Sequence, residues 1–230
     1  MRPRQPTLIW DIDGTLLTTG GRGFGPFIDA INDFFSGKIK ADYSKTHGLT
    51  DYETINFLLK ANNLAINQER IENALNIYSQ NLNHVFTASP PEVLPGIIEV
   101  LDFVSNKTSW RQFIGTGNCL DGAKAKLSTT GLLKYFEESN LFCASQNANT
   151  RVDVISKAKN SLKSIEIGIV IGDTPADISC AKECGLKVIA LATGAFGVHD
   201  LQEHGADFVL ERGWTLRDFT NKINSIVNKG

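Results

Sequence analysis

The stretch "TLIWDIDGT", Thr7 to Thr15, decides how the rest of the chain is read. An apolar run suited to a buried strand gives way to two aspartates one residue apart, then to a glycine. Successive strand side chains point to opposite faces, so Asp11 and Asp13 share one side while Ile12 turns back towards the interior. Gly14 relaxes the backbone for the turn that follows. The pattern predicts a buried strand whose C-terminal end presents two carboxylates to one cavity.

Further short runs rich in Ile, Val and Phe follow: "RQFIG" from Arg111, "IGIVI" from Ile167, "KVIALA" from Lys187 and "DFVL" from Asp207. Amphipathic stretches separate most of them, which predicts an α/β fold: a Rossmann-like parallel sheet with helices on both faces. Gly131, Gly185 and Gly205 each stand where a helix would stop. Between Thr18 and Pro91 the strand-like runs vanish and helical periodicity takes over, so residues 18–91 are read as an inserted all-helical domain. Residues 1–17 and 92–230 then form the core. The linkers "TTGGRGFGP" and "TASPPEVLPG" carry glycines and prolines that permit hinge motion. Within the insertion, Thr50 and Glu53 form a capping box for a helix running to Asn62, and Phe24, Phe27, Phe34 and Phe35 suit the buried face of another.

The 230 residues hold 23 basic against 25 acidic side chains, a formal net charge of -2 that gives no electrostatic footprint for nucleic acid. The N-terminus lacks the apolar core of a signal peptide, and no window is apolar enough to span a bilayer. A soluble cytoplasmic protein is expected, monomeric or homodimeric, with no membrane partner. Its cysteines, Cys119, Cys143, Cys180 and Cys184, show neither metal-ligand spacing nor the density of a disulfide scaffold, so reduced thiols are expected.

A second acidic motif, "GDTPAD", follows "IGIVI": Asp173 ends the strand, Pro175 suits the first helical position and Asp177 lies four residues beyond Asp173. If the motifs converge, up to four carboxylates share one site with no basic residue beside them in sequence. Such crowding demands protonation or a cation. Hard oxygen ligands favour Mg2+. Calcium fits "DIDG" poorly, because the remaining ligands of a helix-loop-helix site are absent. A middle motif, "IGTGN", sets the hydroxyl of Thr116 and the amides around Gly117 and Asn118 before the helix "CLDGAKAKL", an arrangement that favours an anion such as phosphate. Alone, each acidic pair reads equally well as a solvated turn and "TGN" as a plain strand-to-helix connection. Only the combination is specific.

In that combination the chain resembles the haloacid dehalogenase-like hydrolase superfamily, and within it a phosphoglycolate phosphatase-like subgroup with a helical cap, through "DIDGT", the Thr after a strand, "GDTPAD" and also "GGRGFGPFIDAI" and "GLTDYETI". The resemblance implies that Asp11 attacks phosphorus to form an aspartyl-phosphate and that Asp13 serves as general acid and base. It implies magnesium held by the Asp11 carboxylate, the Asp13 backbone carbonyl and Asp173, with Asp177 steadying the site, and a phosphate clamp at Thr116, Gly117 and Asn118. Asp13 speaks for phosphate esters against carbon–halogen bonds, since family dehalogenases typically lack an acid there. The family's usual lysine before the last motif is missing from "NANTRVDVISKAK"; Arg151 is the first candidate for its role, with Lys126 and Lys157 as alternatives. The expected activity is magnesium-dependent hydrolysis of a small phosphorylated metabolite, phosphoglycolate-like or a sugar phosphate. A sugar-phosphate mutase is the alternative, although Thr50 and Asp51 stand where family mutases favour Ser-Arg. A dehalogenase or a non-enzymatic phosphoacceptor domain explains less of the sequence. Arg22, Lys45 and His47 are read as surface residues in preference to contacts for a substrate carboxylate.

Overall fold

The computed structural model describes residues 5–35, 39–40, 43–46 and 48–228. In chain order they form β1 (Gln5–Trp10), β2 (Leu17–Thr18), α1 (Phe24–Phe35), α2 (Asp51–Ala61), α3 (Gln68–Ala88), β3 (Glu92–Val93), α4 (Ile97–Lys107), β4 (Arg111–Cys119), α5 (Leu120–Thr129), β5 (Leu141–Ala144), α6 (Arg151–Asn160), β6 (Glu166–Gly172), α7 (Pro175–Glu183), β7 (Lys187–Leu191), α8 (Val198–Glu203), β8 (Phe208–Leu210) and α9 (Leu216–Val227). Six strands make one parallel sheet in the order β5-β4-β1-β6-β7-β8. From β1 the chain builds outward to β4 and β5, then crosses back to build β6, β7 and β8 on the other side. The reversal between β1 and β6 opens a crevice at their C-terminal ends, the place where open parallel sheets bind ligands.

Alternation along β1 sets the layers. Leu8 and Trp10 face α4 and α9, where Trp10 stacks on Phe219 with ring centroids 5.5 Å apart. Ile9 faces the other way, into a cluster with Phe113, Val170, Ile155 and Ile178 under α6 and α7. Ile12 is wholly buried in the first cluster, which stabilises the fold by roughly 1.5–3 kcal/mol and holds its two acidic neighbours outward. Gly131, Gly185 and Gly205 all take positive φ just past α5, α7 and α8, so the helix stops follow from left-handed C-terminal caps.

β2 and β3 pair antiparallel beside the sheet, and α1, α2 and α3 occupy the chain between them. Their apolar faces gather around Ile31, Ile55, Leu58, Leu82 and Phe86, a cluster that also takes in Cys119, Ala125 and Ala144 from β4, α5 and β5. The helical layer is therefore packed directly onto the sheet. Thr50 caps α2 in a reciprocal box with Glu53, and Asn62 closes it.

Two expectations need correction. Thr116–Asn118 do not follow the strand but continue it, because β4 runs on to Cys119 with a register irregularity against β5 between Thr116 and Cys119. Glycines at 115 and 117 allow this: a Cβ on Gly115 would meet Ile155 Cδ1 at 2.8 Å, and one on Gly117 would meet Thr50 Cα at 3.1 Å. Phe24 is not core. It is 42% exposed, whereas Phe27 and Phe35 are buried and Phe34 is half-buried. Phe24 opens α1 three residues before Phe27, which leaves it on the same side of the helix but overhanging the cleft. Among the described residues no helix is long and apolar enough to cross a membrane.

Candidate active site

Asp11 and Asp173 end adjacent strands, because the amide of Asp11 continues the ladder by donating to Ile171 O at 2.9 Å. Asp177 reaches the same spot from the first turn of α7. There Thr174 is the N-cap, Pro175 holds the first helical position, and the Asp177 carboxylate accepts from the Thr174 amide at 3.1 Å. One oxygen each from Asp11, Asp173 and Asp177 lies within 4.8 Å of the others, and all three residues are buried.

Glycine makes this approach possible. Gly14 has φ +80°, and a Cβ there, on Gly194 or on Gly172 would overlap a carboxylate, that of Asp173 in the first two cases and of Asp177 in the third. Thr15 donates to Asp173 Oδ1 at 3.2 Å, and Thr193 Oγ1 donates to Gly14 O at 2.6 Å, tying the loop after β7 to the turn after β1. Gly194 and Thr193 were missed by the motif reading, which took Thr15 only as part of the turn, and only the glycine between short residues in "LATGAFG" hinted at a close approach.

Two cations arrive from distant segments. Arg151, first residue of α6, donates Nη1 to Asp177 Oδ1 and lies 3.5 Å from Asp11 Oδ1. Its Nε donates to Gly48 O at 2.8 Å, linking the helical layer to the acid cluster. Lys126, buried on α5, places Nζ 2.6 Å from Asp13 Oδ2 and also donates to Asn118 Oδ1. Asn118 Nδ2 in turn donates to Asp13 Oδ2 and to Thr116 Oγ1, each at 2.8 Å. Lys157 is exposed on α6, away from these contacts. Asp11, Asp13, Thr116, Gly117, Asn118, Lys126, Arg151, Asp173 and Asp177 thus gather at one end of the sheet.

Arg22 lies elsewhere. Its guanidinium donates to Thr19 O at 2.9 Å and to Pro90 O at 3.0 Å, clamping the outgoing and returning linkers together. Lys45 is exposed, and His47 lies outside the described residues. Asp51, which the sequence placed in the cap motif without a role at the site, accepts the Cys119 amide at 2.8 Å and lines the cleft beside Asp13 and Lys126.

The charges are unevenly matched. Burial, with Asp177 and Asp13 nearby, raises Asp11 to about 7 despite the opposing pull of Arg151. Burial together with Asp177 and Asp11 raises Asp173 to about 8. Burial works against ionised Asp13 too, yet the charge and hydrogen bond of Lys126 and the Asn118 amide outweigh it and leave its pKa below the ordinary carboxylate value. Asp13 is therefore favoured as a carboxylate, while Asp11 and Asp173 are pushed towards their protonated forms unless a further cation enters. Asp11 Oδ1 is buried with no hydrogen-bond partner. A buried carboxylate oxygen that accepts no hydrogen bond and has only the Arg151 guanidinium 3.5 Å away, among hard oxygen donors in a glycine cradle, fits a divalent cation such as magnesium.

Two cavities meet here. A chamber of about 330 Å3 is lined by Asp13, Gly117, Asn118, Lys126, Arg151 and Asp173. A larger one of about 600 Å3 extends beneath α1 and α2, and Asp13, Asp51 and Lys126 belong to both. A wider cavity, about 670 Å3, lies by the N-terminal ends of β6 and β7 around Gly168 and Leu186. It is at the wrong end of the sheet for this chemistry.

Known proteins resemble this chain in sequence and in fold. A sequence model of the haloacid dehalogenase-like hydrolase family matches residues 8–191. A probable phosphatase, IndB, from Dickeya dadantii is 25% identical over 194 residues, 83% of this chain and 82% of that protein. The pyrophosphatase PpaX of Halalkalibacterium halodurans is 23% identical over 205 residues, covering 89% and 91%. Among solved structures, one described as a predicted phosphatase from Clostridium acetobutylicum superposes with a TM-score of 0.70 at 21% identity, covering 97% and 99% of the two chains. A β-phosphoglucomutase from Clostridium difficile gives 0.68 at 19%, covering 96% and 98%. With its family match running from β1 through β7, and with its strand-end acids meeting at the sheet's switch point, this chain belongs to the haloacid dehalogenase-like hydrolases.

Proposed function

We propose that this protein is a magnesium-dependent phosphatase that hydrolyses a small phosphate monoester, a sugar phosphate or a phosphoglycolate-like metabolite, through an aspartyl-phosphate on Asp11. Residues 1–17 and 92–230 are its catalytic core, and residues 18–91 are a cap that closes over the site. The observation that carries the reading is Asp11 Oδ1, a buried carboxylate oxygen left without a hydrogen-bond partner where the acid motifs converge. The relatives named phosphatase and pyrophosphatase support phosphoryl transfer to water.

Asp11 attacks phosphorus in line with the leaving oxygen, which splits one displacement into two. Asp13 delivers a proton to that oxygen, then takes one from the water that attacks the aspartyl-phosphate. Because Lys126 and Asn118 hold Asp13 ionised at rest, the negative charge of the incoming phosphate raises its pKa, and it takes up a proton from solvent before it acts as the acid. Thr116 Oγ1 and the amides of Gly117 and Asn118 hold the transferring oxygens. Arg151 balances Asp177 and Asp11 and orients the nucleophile. Asp11, the Asp13 carbonyl, Asp173 and Asp177 would hold the magnesium, which supplies the positive charge that lets an anionic carboxylate meet an anionic phosphate.

The test is phosphate release from a generic aryl phosphate with magnesium, with chelator, and in Asp11→Asn. Release that stops under chelation and in the variant supports the mechanism. Turnover surviving either treatment at the parental rate overturns it, and an isomeric sugar phosphate formed with no phosphate released would make the enzyme a mutase.

A further inference from the structure

We infer that the substrate's leaving group is an uncharged, hydroxyl-bearing group of monosaccharide size with an apolar face, and that Asp51 turns away leaving groups carrying a second anion. This rests on the phosphatase reading of the site. Asp13 lies where the two cavities join, so an ester oxygen protonated by Asp13 has its phosphate in the 330 Å3 chamber and its alcohol in the 600 Å3 one. The larger volume suits a small organic ligand.

Its walls specify the chemistry. The rings of Phe24 and Phe27 and the side chain of Leu49 give one apolar side, with Phe27 held edge-on against Tyr78 at 4.9 Å. Aromatic faces of this kind pack against the C–H face of a sugar. Asp51, Thr54 and Tyr78 add polar groups able to accept from or donate to hydroxyls.

Electrostatics exclude the other class. Among the described residues that line the larger cavity, Lys126 is the one cation, and it is already bonded to Asp13 and Asn118. A carboxylate or second phosphate placed there would face Asp13 and Asp51, and the described residues of the lining offer it no new counter-charge. Arg22, which could have supplied one, is committed to backbone carbonyls of the linkers. Asp51 is fixed for this task, since it opens α2 and its Oδ2 accepts the Cys119 amide at 2.8 Å.

The experiment compares kcat/KM, with magnesium, for pentose and hexose phosphates, phosphoglycolate, pyrophosphate and an aryl phosphate as a control for the chemistry. The best sugar phosphate is expected to exceed phosphoglycolate and pyrophosphate by a factor of about ten or more. Asp51→Asn keeps an acceptor for the Cys119 amide but removes the charge. It is expected to narrow the gap by about fivefold or more by raising the two anionic substrates, a ratio that simple misfolding would not shift. Phe24→Ala is expected to raise KM for sugar phosphates with the phosphoglycolate value unchanged. Equal or better turnover of phosphoglycolate or pyrophosphate by the parent enzyme, or a gap that Asp51→Asn leaves intact, overturns the inference while the phosphatase reading stands. Failure to hydrolyse even the aryl phosphate overturns both.

Discussion

Replacing Asp173 with asparagine is expected to stabilise the metal-free protein at neutral pH while abolishing its response to magnesium. Asp173 is 4% exposed, and its pKa is raised from 3.8 to about 8 by burial and by the charges of Asp177 and Asp11. Between those values the folded protein holds a proton that the unfolded chain has released, so stability falls as pH rises across the window. Each unit costs about 1.4 kcal/mol, which sets an upper bound of roughly 4 kcal/mol at neutral pH for Asp173 treated alone. Because Asp11 and Asp173 raise one another, a gain of about 2–4 kcal/mol is expected on removing one. Asparagine retains the acceptor for Thr15 Oγ1, so the local hydrogen bond survives.

For a chain of this length, thermal melts in chelator should show Asp173→Asn at least about 4 °C above the parent near pH 8. The gain is expected to shrink below about 2 kcal/mol near pH 5, where the parent's carboxyl has less to lose by staying protonated. Magnesium at a hundredfold over its Kd would stabilise the parent by about 2.7 kcal/mol and the variant by almost nothing. A gain that is equal at both pH values, or a loss near pH 8, would refute the charge-crowding argument.

The site yields two further expectations. Asp13→Asn is expected to cost an alkyl phosphate at least about a hundredfold more in kcat/KM than p-nitrophenyl phosphate, whose leaving group departs without a proton; equal losses would deny Asp13 the acid role. Gly117→Ala would place a Cβ 3.1 Å from Thr50 Cα and 3.2 Å from Leu49 O, wedging α2 off β4. Its expected signature is a KM raised about threefold or more, with faster amide exchange around Gly48–Asp51.

What could be read from the sequence was local. The alternation in "TLIWDIDGT" fixes which side chains leave β1 together, and Thr174–Pro175–Asp177 is a helix start whose geometry its own residues dictate. Thr50 and Glu53 are legible for the same reason. What escaped depends on where the topology brings distant segments. Lys126 meets Asp13 across 113 residues of sequence, and Thr193 reaches Gly14 across 179. Lys126 stands on α5 among small residues, where spacing alone makes it another surface lysine. Phe24 obeys the helical period but lies one turn too early for the core, and periodicity does not record where a helix overhangs a cleft.

These long-range contacts give the site its asymmetry. Among the described residues, the carboxylates of Asp11, Asp13, Asp51, Asp173 and Asp177 surround the cleft, and two buried or half-buried cations answer them. The cations are not shared evenly. Lys126 and Asn118 compensate Asp13 so that its pKa falls despite burial, whereas Arg151 is paired with Asp177 and Asp11, and both Asp11 and Asp173 keep raised values. A divalent cation is therefore drawn to the Asp11 side, where charge is missing. On the Asp13 side Lys126 is already bonded to Asp13 and Asp51 stands beside them, so the described residues of that wall offer no surplus positive charge to an anionic leaving group. The same imbalance that recruits the metal also disfavours a substrate with a second negative end, so metal binding and selectivity follow from one distribution of charge.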